Sequence, residues 1–459
     1  MSTSVVILAA GKGTRMKTGR AKVLHEAAGR TLLGWALEEA AAVDPDEIVV
    51  VVGHGSDQVA AAAPSGTKTV VQVPQLGTAD AVRVGLEGLV GNPDTVLILP
   101  GDMPLVTAES LRTLLDTHND TAAAGTVMTV QLTDPTGYGR VIRSGESVVG
   151  IVEHADATSD QRLIGEVNTS VYIFDTQLLS DAIAKISPDN SQGEYYLPDA
   201  IEILISQGHT ISAVTVGEAE GIGVNTHGQL AQVAGVLRER INADLMDSGV
   251  SMLDPSRVYV DVGVSVAPGA TLLPDTYLRG TTTVGTGAVV GPTVEAEDST
   301  IGEGATVRYT VMSSSVIGAN AIVGPFTYLR PGTELKEGSK AGAYVEIKES
   351  VVGKGSKVPH LSYIGNAEIG EGSNIGAATV TVNYDGEKKH KTKVGDRTRI
   401  GSDTMLIAPV TVGDDAYTGA GSVITNDVPD GALGIERSDQ RIVEGYAEKR
   451  RKRAEEKAE

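Results

Sequence analysis

The sequence predicts two architectures in one chain: an α/β domain on a mostly parallel sheet, then a parallel β-helix. Three observations carry that reading. In the first part, short apolar runs ended by glycine or proline alternate with helically spaced stretches. In the second, an aliphatic residue returns every six positions. Glycine density rises between them, with 27 of the 55 glycines in residues 1–257 and another 27 in the shorter span 258–434.

In the first domain, strands are read at Val5–Ala10, Glu47–Val52 and Val96–Leu99, with helical spacing at Leu32–Ala42. That alternation fits a mostly parallel sheet. Leu230, Val233, Leu237, Ile241 and Leu245 recur every three or four positions and mark a connecting helix. The expected division is residues 1–229, a linker helix at 230–250, and 251–459.

In the second domain the period runs through Val260, Val266, Leu272, Leu278, Val284 and Val290. It returns at Ile317, Val323, Leu329 and Leu335, and again at Val394, Ile400, Leu406 and Val412. A helix needs a period of about 3.6 residues and a lone strand about 2. A triangular coil needs six, because each short side points one aliphatic inward and turns at the small residue that follows. Three sides make a coil, so residues 258–428 predict about nine coils stacked at ~4.8 Å. The flat faces of such a rod suit burial between chains. Lys449, Arg450, Arg451, Lys452 and Arg453 fall in the run 448–459, read as a solvated tail.

The 459 residues carry 38 basic and 59 acidic side chains, a formal net charge of −21. Bulk charge works against nucleic acid and anionic membranes, and no basic stripe is interleaved with aromatics. Anionic ligands must be held by local basic islands. With no cysteine there is no disulfide and no thiolate metal site, and the eight histidines show no zinc-ligand spacing. The run Val5–Ala10 is too short for a signal peptide, and none reaches the ~18 apolar residues of a membrane span. A soluble cytoplasmic protein is expected.

Gly11, Lys12, Gly13, Thr14 and Arg15 follow directly on the first strand. Glycines there let backbone N–H groups close on an oxyanion, and a following helix N-terminus would add favourable potential, so phosphate is the expected guest. The turn lacks the Walker GK[ST], and Met16 stands where GxGxxG needs its third glycine. Its neighbours narrow the reading. Leu8–Met16 reads LAAGKGTRM, and Lys22 follows in AKVLH. Then come QLGTA at Gln75–Ala79, LPGDMPL with Asp102, GYGR at Gly137–Arg140, IVEH with Glu153, EVNTS with Asn168 and GVN with Asn225. In the β-helix, RPGT at Arg330–Thr333, YVEIK at Tyr344–Lys348 and GSKVPHLSYIG at Gly355–Gly365 set polar residues, His360 among them, into an aliphatic repeat. SNIGAAT, NYDG at Asn383–Gly386 and GSDTMLIAPVTVG at Gly401–Gly413 follow, and NYDG interrupts the hexads.

Over nearly its whole length the chain resembles the bacterial family of bifunctional N-acetylglucosamine-1-phosphate uridylyltransferases and glucosamine-1-phosphate acetyltransferases. The resemblance implies a Rossmann-like nucleotidyltransferase domain and a left-handed β-helix of hexapeptide repeats, assembled as a homotrimer. It implies acetyl transfer from acetyl-CoA to glucosamine 1-phosphate, then uridylyl transfer from UTP giving UDP-N-acetylglucosamine and pyrophosphate. In the first domain, Leu8, Gly11, Arg15 and Lys22 would meet the nucleotide and its phosphates, and Gln72, Gly77 and Thr78 would read uracil, a carboxamide being able to donate and accept. Gly139, Glu153 and Asn168 would hold the N-acetylated sugar, and Asp102 and Asn225 would offer hard oxygen ligands to Mg²⁺.

On the β-helix the resemblance makes His360 the base that takes the amine proton, with Glu346 orienting its ring. Arg330, Lys348, Tyr363 and Asn374 would bind the sugar phosphate, and Ala377, Asn383, Tyr384, Ser402, Ala420 and Arg437 would contact acetyl-CoA. The chain departs from the family pattern at Ala21, where proline is usual before the lysine, and at Thr226 and His227, where asparagine and arginine are common. Val382 stands where many relatives have cysteine, and with no thiol in the chain an acetyl-cysteine intermediate is excluded. Two other readings stay open: a nucleotidyltransferase whose β-helix only oligomerises, and a noncatalytic assembly protein.

Overall fold

The computed structural model describes residues 2–145 and 147–458. It divides into two compact units, Met1–Ile241 and Asn242–Glu459.

The first unit is built on nine strands: β1 (Thr3–Ala9), β2 (Glu47–Val52), β3 (Lys68–Val71), β4 (Thr95–Pro100), β5 (Gly125–Gln131), β6 (Arg140–Ser144), β7 (Ser147–Val152), β8 (Glu166–Asp175) and β9 (Ile211–Val216). Their order is β9-β5-β8-β4-β1-β2-β3, with β6 joining β8 to β7. Along that path β8 alone runs against its neighbours. The central strands are apolar throughout because both faces are covered. Val5 and Ile7 enter one core with the helices Leu32–Ala41 and Ala108–Thr121, while Val6 enters the other with Thr78–Gly88, Thr176–Ile183 and Pro198–Ser206. The chain leaves β1 toward β2 and β3, then returns to β4 on the other side of β1. That reversal opens a crevice beyond the carboxyl ends of β1 and β4, where open α/β sheets bind ligands.

The connecting helix spans His227–Asp247, three residues ahead of the reading from the apolar spacing, and the boundary between units falls inside it at Ile241. Its start is fixed by a polar cap that apolar periodicity does not register. Gln229 N–H donates to Thr226 Oγ1 at 3.2 Å, and Gln229 Oε1 accepts from Asn225 N–H at 2.9 Å. The first bond is the N-cap half of a capping box, and the return bond from Gln229 reaches the residue before the cap.

The second unit is a parallel β-helix with faces of 11, 10 and 9 strands. It therefore has about ten coils where the period had given nine; the outermost strands, Ser251–Met252 and Leu433–Gly434, lie beyond the regular repeat. Inward residues stack in register, as in Leu272–Val290–Val307–Val323–Ala341–Val358. The breaks in the sixfold period are not gaps in the fold. Val290, Ala296, Ile301, Val307, Met312 and Ile317 are all buried, and several corners between them close with one residue fewer. The run 448–459 falls largely in an exposed helix, Tyr446–Glu455.

Candidate functional site

In the first unit the crevice is a cavity of about 670 Å³. Of the residues singled out from the sequence, Leu8, Gly11, Arg15, Lys22, Gln72, Gly77, Thr78, Asp102, Asn168 and Asn225 line it. Gly139 and Glu153 do not. They adjoin each other behind the wall, where a Cβ on Gly139 would stand 3.3 Å from Glu153 Oε1. Burial pushes the Glu153 carboxyl up, with Asp156 and Asp199 adding to it, and Asp199 is itself pushed up to about 6 by burial and then by Glu202 and Asp156.

The floor of the cavity is a cation held by two oxygens. Lys22 Nζ is bonded to Asp102 Oδ2 and lies 3.0 Å from Asn225 Oδ1, with both partners of the ion pair mostly screened from solvent. Asp102 follows β4, Lys22 opens the 3₁₀ turn Lys22–Leu24, and Asn225 is aimed by the cap of the connecting helix. Arg15 is exposed on the glycine turn, with no bonded partner among the described residues. The expectation of a helix N-terminus behind that turn is not met: Gly11–Gly13 runs into a single 3₁₀ turn, Thr14–Met16, and the first α-helix begins at Leu32. Anion binding there rests on loop N–H groups and side-chain cations.

The backbone at Gly77 is clamped. Ala79 N–H donates to Tyr195 O at 2.9 Å, and Tyr195 N–H donates to Leu76 O at 2.9 Å. Gly77 has φ 127°, and a Cβ there would sit 2.5 Å from Tyr195 O, so only glycine fits. Asn168 has its carboxamide in the fold, Nδ2 on Tyr172 Oη at 2.5 Å and Oδ1 accepting from Ser170 N–H at 2.9 Å.

On the β-helix the candidate residues form two groups. His360 lies at an exposed corner, and Ala377, Ser402 and Ala420 follow it coil by coil: Ala378 N–H donates to His360 O, Asp403 N–H to Ala377 O and Gly421 N–H to Ser402 O. Arg437 Nη1 reaches Ala420 O at 3.1 Å, joining the same line. The other group holds Arg330, Lys348, Tyr363 and Asn383. Glu346 and Tyr363 are register partners on one face, and Lys348 pairs with Gly365 at its far end. Asn383 Nδ2 donates to Asn366 Oδ1 at 2.6 Å, Asn366 Nδ2 to Glu349 Oε2 at 2.6 Å, and Lys348 Nζ is 3.2 Å from Glu349 Oε1. Glu346, expected to orient the His360 ring, has its carboxylate on Arg330 Nη1 at 3.0 Å, and its register partner on the next coil is Tyr363. Asn374 sits on a third column, between Lys357 and Arg399. Tyr384 is exposed on the NYDG loop, its hydroxyl on Gly386 O.

Sequence reasoning missed Lys389. The NYDG insertion folds back as a hairpin in which Tyr384 bridges Lys389 and His390 N–H donates to Asn383 O at 2.8 Å. Asp385 holds the turn, accepting from Glu387 N–H, Lys388 N–H and His390 Nε2. Lys389 is thereby brought to Lys348, whose charge holds it below the ordinary lysine value. Arg330, Lys348 and Lys389 set three cations against the two carboxylates Glu346 and Glu349, and the excess of positive charge suits a phosphate.

Fold and clusters together define a two-part transferase, one half built for nucleoside triphosphates and the other a hexapeptide-repeat transferase on a left-handed β-helix. Residues 5–163 match the MobA-like NTP transferase domain, and residues 391–426 match the bacterial transferase hexapeptide, six repeats. The chain is 49% identical to the bifunctional protein GlmU of Streptomyces avermitilis, over 98% of this chain and 94% of that one. It is 46% identical to that of Corynebacterium glutamicum strain ATCC 13032 (98% and 95%) and 47% to that of Mycolicibacterium vanbaalenii (98% and 93%). The chain belongs to the GlmU family of bifunctional proteins.

Proposed function

We propose that the two clusters are separate catalytic centres used in succession. The chain is a bifunctional enzyme of UDP-N-acetylglucosamine synthesis, an acetyltransferase and a uridylyltransferase. In uridylyl transfer, a phosphate oxygen of N-acetylglucosamine 1-phosphate attacks the α-phosphorus of UTP and pyrophosphate leaves. That oxygen is a nucleophile at neutral pH, so the protein must supply alignment and charge neutralisation. Arg15 and Lys22 supply charge, and of the residues expected to hold the sugar Asn168 lines the cavity, while Gly139 and Glu153 lie outside its lining. The observation that carries the reading is the convergence of Asp102 and Asn225 oxygens on one cation, Lys22 Nζ. Two hard oxygens on one point suit a Mg²⁺ ion that completes its shell with water and phosphate, and once bound it would neutralise phosphate charge.

In acetyl transfer, the neutral amine of glucosamine 1-phosphate attacks the thioester carbonyl. His360 takes the amine proton, and the sulfur of coenzyme A leaves and is protonated. Ala377 N–H faces the developing oxyanion, and Arg330, Lys348 and Lys389 hold the sugar phosphate. The His360 line and the cation island bracket one face of the coil, and in the proposed homotrimer a second copy would cover that face and complete the site. These substrates imply work in the cytoplasm.

Purified protein given glucosamine 1-phosphate, acetyl-CoA, UTP and Mg²⁺ is expected to yield UDP-N-acetylglucosamine, coenzyme A and pyrophosphate, and to sediment as three chains. An active preparation that releases pyrophosphate but no coenzyme A would favour the reading in which the β-helix only oligomerises.

A further inference from the structure

The carboxamide of Gln72 is less versatile in this fold than its chemistry allows. Gln72 is 2% exposed, and Nε2 donates to Asp80 Oδ2 at 2.8 Å and to Gly77 O at 3.1 Å. A carboxylate and a carbonyl can only accept, so these two partners determine which end of the carboxamide is nitrogen and use both of its N–H groups. What remains is Oε1, which has no bonded partner among the described residues on a side chain that lines the cavity. Asp80 is itself braced within the helix Thr78–Gly88. Arg83 Nη2 and Nε donate to its other oxygen at 2.6 and 3.2 Å, and Arg83 Nη1 is 2.7 Å from Glu87. Gly77, whose carbonyl takes Nε2, and Thr78 line the same cavity, and their N–H groups have no bonded partner among the described residues.

An acceptor beside donors is the complement of uracil, which presents N3–H next to the O4 acceptor. Cytosine presents the reverse, a bare N3 next to an amino group. Against this wall cytosine would set acceptor on acceptor and donor on donor, and polar groups left unpaired in a closed site are where nucleobase discrimination is largest.

We propose that Asp80 is a specificity-determining positioning residue: by holding the amide nitrogen of Gln72, it keeps Oε1 toward the base and selects pyrimidines that carry N3–H. The inference rests on the uridylyl reading of this cavity. Asp80 touches no substrate and acts only through Gln72.

The test compares kcat/KM for UTP and CTP, read by pyrophosphate release with N-acetylglucosamine 1-phosphate as acceptor. In Asp80→Asn the group facing Gln72 can donate as well as accept, so one of the two acceptors that fix the amide nitrogen is lost and Gly77 O alone opposes the turned carboxamide, and the UTP-to-CTP ratio is expected to fall by about ten-fold or more. Arg83→Met keeps the carboxylate and is expected to hold the ratio within about two-fold. Parallel loss of both nucleotides with the ratio unchanged overturns the proposal. If Asp80→Asn folds poorly, Asp80→Ser, whose hydroxyl also donates, repeats the measurement, and an unchanged ratio there overturns it equally. Wild-type protein that uses neither nucleotide sinks the uridylyl reading itself. Wild-type protein that prefers UTP while both variants prefer it equally sinks the role of Asp80 alone.

Discussion

Ala21 holds φ −57° and ψ 136°, close to the geometry proline would impose there, although the family's proline is absent. Packing does the work instead. Ala21 is buried, and Gly13, at φ 58°, lies so close beneath the next residue that a Cβ on it would stand 2.7 Å from Lys22 Cβ. Lys22 is thus seated from below by a glycine. Two outcomes are expected. Ala21→Pro should keep uridylyl transfer and stabilise the protein by about 0.4–1 kcal/mol through the unfolded chain, read by thermal unfolding. Gly13→Ala should lower uridylyl transfer at least ten-fold, an estimate of roughly 1.4 kcal/mol at the transition state, with acetyl transfer unchanged. Equal loss of both activities in Gly13→Ala would show global damage and remove Lys22 from the account. The residues with their own chemistry, such as Lys22, Asp102 and His360, were legible from motifs. Asp80 and Lys389 were not, because one works through a neighbour's amide and the other depends on a hairpin that returns it to Lys348.

Elements were legible where burial sets the pattern and illegible where polar bonds set the ends. The core strands followed from apolar runs, and the coils from a sixfold period that slips where a corner shortens and where the NYDG hairpin is inserted. The start of the connecting helix did not, since Thr226 and Gln229 carry it. Thr226→Ala is expected to cost about 1 kcal/mol of stability and to weaken uridylyl transfer by freeing Asn225, with Thr226→Ser restoring both. Failure of serine to restore them would count against capping. A second element-level expectation concerns the helix Ala108–Thr121, whose His118 is buried with Nδ1 3.1 Å from Thr126 Oγ1. Burial lowers its pKa, opposed by Asp175. The folded state thus resists the proton more than the unfolded state, whose histidine pKa is about 6.5. The stability it contributes is full above that pH and is lost as pH falls toward the folded value. Unfolding temperatures measured between about pH 8 and 5 should fall less steeply in His118→Gln than in the wild type; identical slopes would mean that another group drives the acid loss.

At the scale of the whole molecule, one chain carries two chemistries that share only a product. On the proposed mechanism the uridylyl centre relies on positive charge from Arg15, Lys22 and the Mg²⁺ that Asp102 and Asn225 would hold, and its phosphate nucleophile calls for no general base. On the same reading the acetyl centre relies on His360 as the base that takes the amine proton. Separate machinery also makes the halves separable by mutation. His360→Ala is expected to reduce acetyl transfer by about 10²-fold or more and leave uridylyl transfer intact, and Asp102→Ala the reverse. Neither variant alone should convert glucosamine 1-phosphate to UDP-N-acetylglucosamine at an appreciable rate. Mixed in one tube they should, because the acetylated sugar phosphate made by Asp102→Ala can diffuse to His360→Ala. That mixture should show a lag while the intermediate accumulates, and its rate should rise with total protein. Following UDP-N-acetylglucosamine and N-acetylglucosamine 1-phosphate against time decides the matter. A mixture that makes the intermediate but never the nucleotide sugar would mean that the two centres must lie in one assembly, and independence of the halves would then be wrong.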